Sequence, residues 1–247
     1  MNMGPFAIIG NPVTSSLSPR LFSAAYPQLP REMYLVIEAP DAEQGWKRIK
    51  ELHIQGFNVT MPFKTDFLNM ADKLAPAVRQ VRATNLLTLE DGIWTAWNTD
   101  ITGVVNSFRG SGIDPAGKNA LIIGAGGAGR AAALGLEQAG ATVFIANRTL
   151  RPRLYPLSDI PSLLRKCTLI VNTVPCEGID AAVINLTCAH TILDASYTLA
   201  PLRKAAACAG ARYLGGYHWL YNQAVEGFAI LTGLEPDCRA MRKLLDL

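Results

Sequence analysis

Long apolar runs, paired cysteines, clustered histidines and concentrated charge are all missing from this sequence, and each absence removes a class of protein. No apolar run reaches the roughly 18 residues that a membrane-spanning helix requires. Met1 leads into the strand-like FAIIG at 6–10 with no charged region ahead of it, so a cytoplasmic protein with no membrane partner is expected. The five cysteines, Cys167, Cys176, Cys188, Cys208 and Cys238, are odd in number and form no CxxC pair. Neither a disulfide framework nor a zinc site follows, and packed thiols are the reading. His53, His190 and His218 lie far apart with no metal-ligand spacing, so no metal is expected. The net charge is only +3 and the basic residues are scattered, which excludes a nucleic-acid-binding stripe. One short basic cluster, Arg148, Arg151 and Arg153, needs a local explanation.

What is present is a globular composition. Hydrophobic residues make up 49% of the 247 residues and charged ones 17%, a balance too apolar for disorder and sufficient for one large core or two modest ones. Strand-length apolar runs alternate with helical patterns: FAIIG at 6–10, MYLVIEA at 33–39, FNVTM at 57–61, ALIIGAG at 120–126, TVFIAN at 142–147, LIVNTV at 169–174 and TILDAS at 191–196. That alternation predicts parallel sheets with helices on their faces, an α/β fold. Trp94 and Trp97 fit a further strand leading to Asp100, and Trp46 is read as packing. The clearest internal seam is SGIDPAGK at 111–118, where glycine, proline and polar residues precede a strand starting at Asn119, and a change of domain is expected there. The helix ITGVVNSF at 101–108 would link the two parts.

The strongest single motif follows the strand at 120. Gly124, Gly126 and Gly129 have the spacing of a dinucleotide-binding turn between a strand and a helix. Gly124 permits the tight turn, Gly126 the approach of a pyrophosphate, and Gly129 close packing of a helix whose N-terminal amides attract the anion. Ala125, Gly127 and Ala128 complete the turn. A site selective for NAD would carry Asp or Glu at the end of the next strand. This strand ends in Asn147, Arg148 and Thr149, and a guanidinium there suits the extra 2′-phosphate of NADP. The alternative is a solvated basic turn.

In the N-terminal half, polar residues are expected immediately after apolar strands, where open α/β sheets bind ligands: Ser16, Ser18, Thr60, Lys64, Asn85 and Asp100. Singly each has a plain alternative. The serines suit helix N-caps, Asn85 a turn, Lys64 a solvated surface, and Asp100 the N-cap of the linking helix.

Taken together and in order, GNPVTSSLSP, GFNVTMPFK, ATN, NTDITG, GAGGAGR, NRT and LYNQAVEGF closely resemble the shikimate dehydrogenase family, over nearly the whole chain. The resemblance implies an N-terminal substrate-binding domain completed by the C-terminal helices (1–100 with 218–247), a Rossmann-type NADP-binding domain (101–217), and a cleft between them. It implies NADP-dependent, reversible reduction of 3-dehydroshikimate to shikimate in aromatic amino acid biosynthesis, by a monomer or homodimer. Ser16 and Ser18 match the family's serines that hold the substrate carboxylate, and Thr60, Asn85 and Gln223 match positions that hydrogen-bond the substrate. Lys64 and Asp100 match the catalytic pair, and Tyr197, in DASYTLAPL, matches a tyrosine near the substrate. The residue types suit the reaction independently: reducing a ketone needs a hydride on carbon and a proton on oxygen, and an ammonium can stabilise the alkoxide and relay that proton.

The chain also departs from the family's pattern. Ser15 replaces a histidine, Leu86 the threonine after Asn85, Trp219 the methionine before Leu220, Thr173-Val174 the Ala-Thr after Asn172, and Ile101 the glycine after NTD. Most of these positions line the nicotinamide end or the cleft. They leave quinate or a related polyol acid as an alternative substrate, and a catalytically silent shikimate- and NADP-binding regulator as an alternative class. The stretch from Leu150 to Lys166 is short for the family, which predicts that a helix and strand of the cofactor domain are trimmed or missing.

Overall fold

The computed structural model describes residues 4–174, 185–197 and 200–247; Cys176 lies outside them. The chain divides into two compact units, Met1–Thr99 with Gln223–Leu247, and Asp100–Asn222.

The first unit opens with β1 (Phe6–Gly10), α1 (Ser18–Ala25), β2 (Tyr34–Glu38), α2 (Ala42–Glu51) and β3 (Gly56–Val59). It continues through β4 (Lys73–Leu74), α3 (Pro76–Val81), β5 (Leu86–Glu90) and β6 (Ile93–Trp97). The helix starts have local causes: Asp41 caps α2 by accepting the Gln44 amide N–H at 2.8 Å, and proline occupies the first turns of α1 and α3. The six strands lie in the order β2-β1-β3-β5-β6-β4. The expectation of a parallel sheet holds for β2-β1-β3 and for the β6-β4 pair, whereas β5 runs antiparallel to both β3 and β6. The reversal between β5 and β6 is a tight hairpin: Asp91 and Gly92 both take positive φ, which turns the chain within two residues.

Every residue of β1 and β3 is buried, as strands covered on both faces must be. One side packs Ile49, Trp46, Phe57, Phe67 and Trp94, with the Trp46 and Trp94 rings 5.0 Å apart. The other gathers Phe6, Phe22, Tyr26, Tyr34 and Phe228 in edge-on and tilted ring contacts.

The second unit comprises α4 (Asp100–Gly110), β7 (Asn119–Ile123), α5 (Gly127–Gln138), β8 (Thr142–Ala146), β9 (Leu154–Tyr155), α6 (Ile160–Leu164), β10 (Leu169–Asn172), β11 (Thr191–Asp194), α7 (Pro201–Ala209) and β12 (Arg212–Leu214). Its sheet order, β12-β11-β10-β7-β8-β9, is fully parallel. Counted within this sheet the order is 6-5-4-1-2-3, the doubly wound dinucleotide-binding arrangement, with its switch point between β7 and β10. The glycine- and proline-rich stretch 111–118 is an internal connection of this unit, and the boundary falls earlier, at Thr99. The reason is packing: α4 lies so close on α5 that a Cβ at Gly135 would overlap the Ile101 carbonyl. The shortened stretch from 150 to 166 keeps its strand and its helix, reduced to the two-residue β9 and the single-turn α6.

The chain ends with α8 (Gly216–Thr232) and α9 (Cys238–Leu244). From Gln223 onward these helices belong to the first unit, where the Tyr26 hydroxyl donates to the Leu234 carbonyl at 3.0 Å.

Candidate active site

One edge of the first sheet collects the polar residues of the N-terminal half. The turn after β1 is tied to the turn after β3: the Asn11 N–H donates to the Met61 carbonyl at 2.9 Å, and the Thr60 N–H to the Ile9 carbonyl at 2.9 Å. Thr60 and Lys64 follow β3, and the Lys64 carbonyl accepts the Thr84 N–H at 2.7 Å. Asn85 precedes its strand, contrary to the expected placement after one. Because β5 is antiparallel, its start nonetheless lies at the end of β3, where the Asn85 carbonyl accepts the Val59 N–H at 2.9 Å.

Neither serine caps α1. Leu17 holds the N-cap position without a side-chain bond, Ser18 is the first helical residue, and the Ser16 hydroxyl accepts the Ser18 N–H at 3.2 Å. Ser18 is buried and its hydroxyl bonds to that of Tyr34, which in turn donates to Asn58 Oδ1 at 2.6 Å. Burial pushes the Tyr34 phenol well above its ordinary pKa, with the Ser18 bond opposing that shift. Asn58 Nδ2 then donates to the Asn85 carbonyl at 3.3 Å, which closes a chain of polar contacts from Ser18 to Asn85.

Asn85 itself is buried and highly committed. Its Nδ2 donates to Thr99 Oγ1 at 3.0 Å and to Gln223 Oε1 at 3.2 Å, and its Oδ1 accepts the Thr99 N–H at 2.8 Å. Tyr34, Asn58 and Thr99 were not singled out from the sequence. Asn58 had a readable signal, a lone amide within the apolar run FNVTM that an entirely buried strand must satisfy.

The second unit carries the glycine turn at the end of β7. Gly124 takes φ +105°, and a Cβ there would crowd Thr173 and Val174 after β10, across the switch point. A Cβ at Gly129 would overlap the Gly124 carbonyl, which fixes the close approach of α5. Gly126, at the N-cap of α5, faces open space, so the first amides of this helix are approachable by an anion. Asn147 Oδ1 accepts the Ala125 N–H at 3.2 Å and its Nδ2 donates to the Thr149 carbonyl at 2.8 Å, which joins the turn to the end of β8. Arg148 and Thr149 are exposed, and neither Arg148, Arg151 nor Arg153 pairs with an acidic side chain among the described residues. This donor set fits a dinucleotide with a terminal phosphate: helix amides for the pyrophosphate and a guanidinium without a carboxylate partner for the second anion.

Asp100 opens α4 and is buried. Tyr197 follows β11, stacked on Tyr217 with ring centroids 5.3 Å apart and 29° between planes. Tyr197 is 37% exposed, and partial desolvation, with Tyr217 second, raises its phenol pKa. Beneath this segment lies a network that sequence reasoning missed. Asn172 Nδ2 donates to Asp194 Oδ1 at 3.1 Å, which also accepts the Ser196 N–H at 3.2 Å, and the Tyr213 hydroxyl donates to Asp194 Oδ2 at 3.3 Å. Asp194 is fully buried, and desolvation raises its pKa against the pull of these three donors. Among the described residues no group of His, Cys, Asp and Glu could hold a metal ion, and no helix is long and apolar enough to cross a membrane.

A doubly wound parallel sheet with this glycine turn, in a chain whose other α/β unit bears clustered polar residues at one end of its sheet, defines a Rossmann-type oxidoreductase. The sequence pattern of the shikimate dehydrogenase substrate binding domain matches residues 8–87. The chain is 35% identical over 263 residues to the NADP(+) shikimate dehydrogenase of Halobacterium salinarum, covering 98% of each. Its fold matches shikimate dehydrogenase from Aquifex aeolicus with TM-score 0.87 at 29% identity, covering 98% of this chain and 97% of that one. The enzyme of Thermus thermophilus in complex with NADP(H) and shikimate matches with TM-score 0.84 at 29% identity, covering 98% of both. The chain belongs to the shikimate dehydrogenase family.

Proposed function

We propose that this protein reduces the ketone of 3-dehydroshikimate to the alcohol of shikimate with NADPH, reversibly, as a cytoplasmic monomer or homodimer. The observation that carries this reading is the convergence, at one edge of the first sheet, of the segments bearing Ser16, Ser18, Thr60, Lys64, Asn85 and Gln223, in a chain that also carries the glycine turn. Relatives that match over 98% of both chains are named NADP(+) shikimate dehydrogenases.

The substrate is a carboxylate bearing hydroxyls. The Ser16 hydroxyl donates to its carboxylate, the Ser18 hydroxyl joins it by exchanging its bond to Tyr34, and Thr60 hydrogen-bonds a ring hydroxyl. Asn85 and Gln223, bonded to each other in this structure, exchange that bond for bonds to the substrate. Tyr197 contributes its hydroxyl.

NADPH, when bound, supplies the hydride that adds to the carbonyl carbon. Gly124–Gly129 and the amides opening α5 hold its pyrophosphate, Asn147 and Thr149 hold the adenosine side, and Arg148 pairs with the 2′-phosphate. The Lys64 ammonium stabilises negative charge developing on the carbonyl oxygen and passes it a proton, so hydride and proton together complete the alcohol. The Asp100 carboxylate accepts hydrogen bonds from that ammonium and from a substrate hydroxyl, orienting both.

Initial rates, followed through the absorbance of reduced nicotinamide, test the reading with shikimate and quinate against NADP and NAD. Turnover is expected with shikimate and NADP and collapses in Lys64→Ala. Binding of shikimate without turnover in any combination would overturn the enzyme reading.

A further inference from the structure

Tyr34 opens β2 with its phenol sealed in the interior, 4% exposed, and its hydroxyl is the middle member of the polar chain from Ser18 to Asn85. Counting protons fixes the direction of each bond in that chain. Asn58 Nδ2 donates to the Asn85 carbonyl, which turns Oδ1 of the same amide toward Tyr34. An amide oxygen only accepts, and among the described residues the Tyr34 hydroxyl, at 2.6 Å, is the one donor that reaches it. The single phenol proton is therefore committed to Asn58. What the Tyr34 oxygen has left for Ser18 is a lone pair, so the Ser18 hydroxyl points its proton inward, at Tyr34. The ring that carries this oxygen is held in place against Phe22, with centroids 4.8 Å apart, and against Phe228 at 5.8 Å. Turning the phenol proton away from Asn58 would leave a buried amide oxygen unpaired in a strand that is buried throughout.

A substrate carboxylate only accepts, and it needs the same proton that Tyr34 holds; Ser18 has one to give. We propose that Tyr34 is a positioning residue that sets the substrate affinity of the serine site: it holds the Ser18 proton inward while the site is empty and yields it when a carboxylate enters. The exchange is favourable, because a hydrogen bond to an ionised acceptor is about twice as strong as one to a neutral oxygen, but every binding event gives up the Ser18–Tyr34 bond. The carboxylate takes no part in the hydride transfer, so this loss falls on ketone, alcohol and transition state alike. It raises KM and leaves the chemical step alone. The inference rests on the shikimate reading above and deepens it.

The test is a cycle of four full-length proteins: wild type, Tyr34→Phe, Ser18→Ala and the double variant. Each is titrated calorimetrically with shikimate and assayed by initial rates with NADP+. Phenylalanine keeps the ring against Phe22 and Phe228 and removes only the oxygen, and Tyr34→Leu stands in should it not fold. Asn58 loses its donor with and without Ser18, so that cost cancels around the cycle. Tyr34→Phe is expected to bind shikimate about two- to tenfold more tightly, the range for one hydrogen bond no longer given up, with KM lowered by the same factor and kcat not raised. In the Ser18→Ala background the same substitution is expected to leave shikimate affinity where it was. A tyrosine that merely props the fold would do the opposite, loosening the serine when removed and weakening binding. Weaker or unchanged binding in Tyr34→Phe, or an equal gain with and without Ser18, overturns the proposal while leaving the shikimate reading intact. If the wild-type protein binds no shikimate, that reading falls and this inference with it.

Discussion

Asn85 and Gln223, 138 residues apart in sequence, are joined by a 3.2 Å hydrogen bond from the amide of one to the carbonyl oxygen of the other. The bond brings the start of β5 and the C-terminal helix α8 to one point. Gln223 lies at the half-buried side of the pair and Asn85 at the buried side, so the two substitutions separate. Gln223→Ala is expected to raise KM for shikimate with a smaller change in kcat and little change in stability. Asn85→Ala leaves the buried Thr99 N–H without its acceptor and is expected to cost about 1–3 kcal/mol in urea unfolding as well.

Lys64→Ala should lower kcat by about 10²–10⁴-fold, the range for removing a general acid, with a smaller effect on shikimate binding. Calorimetric titration with shikimate beside steady-state kinetics checks the split. An equal loss in both would make Lys64 a binding residue.

Arg148→Ala is expected to raise KM for NADPH by about tenfold or more and to leave KM for NADH unchanged, since only NADPH carries the 2′-phosphate and a hydrogen bond to a charged group is worth about 1.5–3 kcal/mol. Arg151→Ala, three residues on in the same exposed stretch, serves as the control for general positive charge.

Gly129→Ala places a methyl group into the Gly124 carbonyl. Overpacking of this kind costs about 1–3 kcal/mol, so a lowered melting temperature together with weakened NADP+ binding is expected. Gly126→Ala, where a methyl group meets no neighbour in the structure, should melt as the wild type and reveal only what the cofactor itself needs.

Asp194 predicts a pH dependence of stability. Its folded-state pKa is raised above the ordinary 3.8 by burial, so between that value and the raised one the folded state binds more protons than the unfolded state. Stability then falls as pH rises through that window, and the carboxylate weighs against folding at neutral pH. In Asp194→Asn the amide oxygen can accept from Asn172 and Ser196 while its nitrogen donates to the Tyr213 oxygen. Urea unfolding across acidic to neutral pH should show this slope in the wild type and its loss in the variant.

Much of this was legible in the residues. The runs FAIIG and TILD read as strands because buried parallel strands are largely apolar, TVFIA read as one from its β-branched and aromatic residues although only Ala146 is buried, and the glycine spacing marked the second unit's turn. LLTLE at 86–90 did not read as a strand, and with it went the antiparallel half of the first sheet, although the Asp91-Gly92 pair between two apolar runs is a hairpin signal. The two-residue β4 and β9 are too short to show any period. The polar chain from Ser18 through Tyr34 and Asn58 to Asn85 depends on strand register, which local pattern does not encode.

The first unit is built from both ends of the chain, whereas the second is one continuous stretch. Phe22 and Tyr34 wait for Phe228 to complete their aromatic cluster, and Tyr26 for Thr232 and Leu234. During synthesis the middle of the protein therefore has all its parts first, while the N-terminal sheet leaves the ribosome with one face covered only in part, by α1. Its cover is completed only when residues 223–247 are joined, a period in which a chaperone has something to hold.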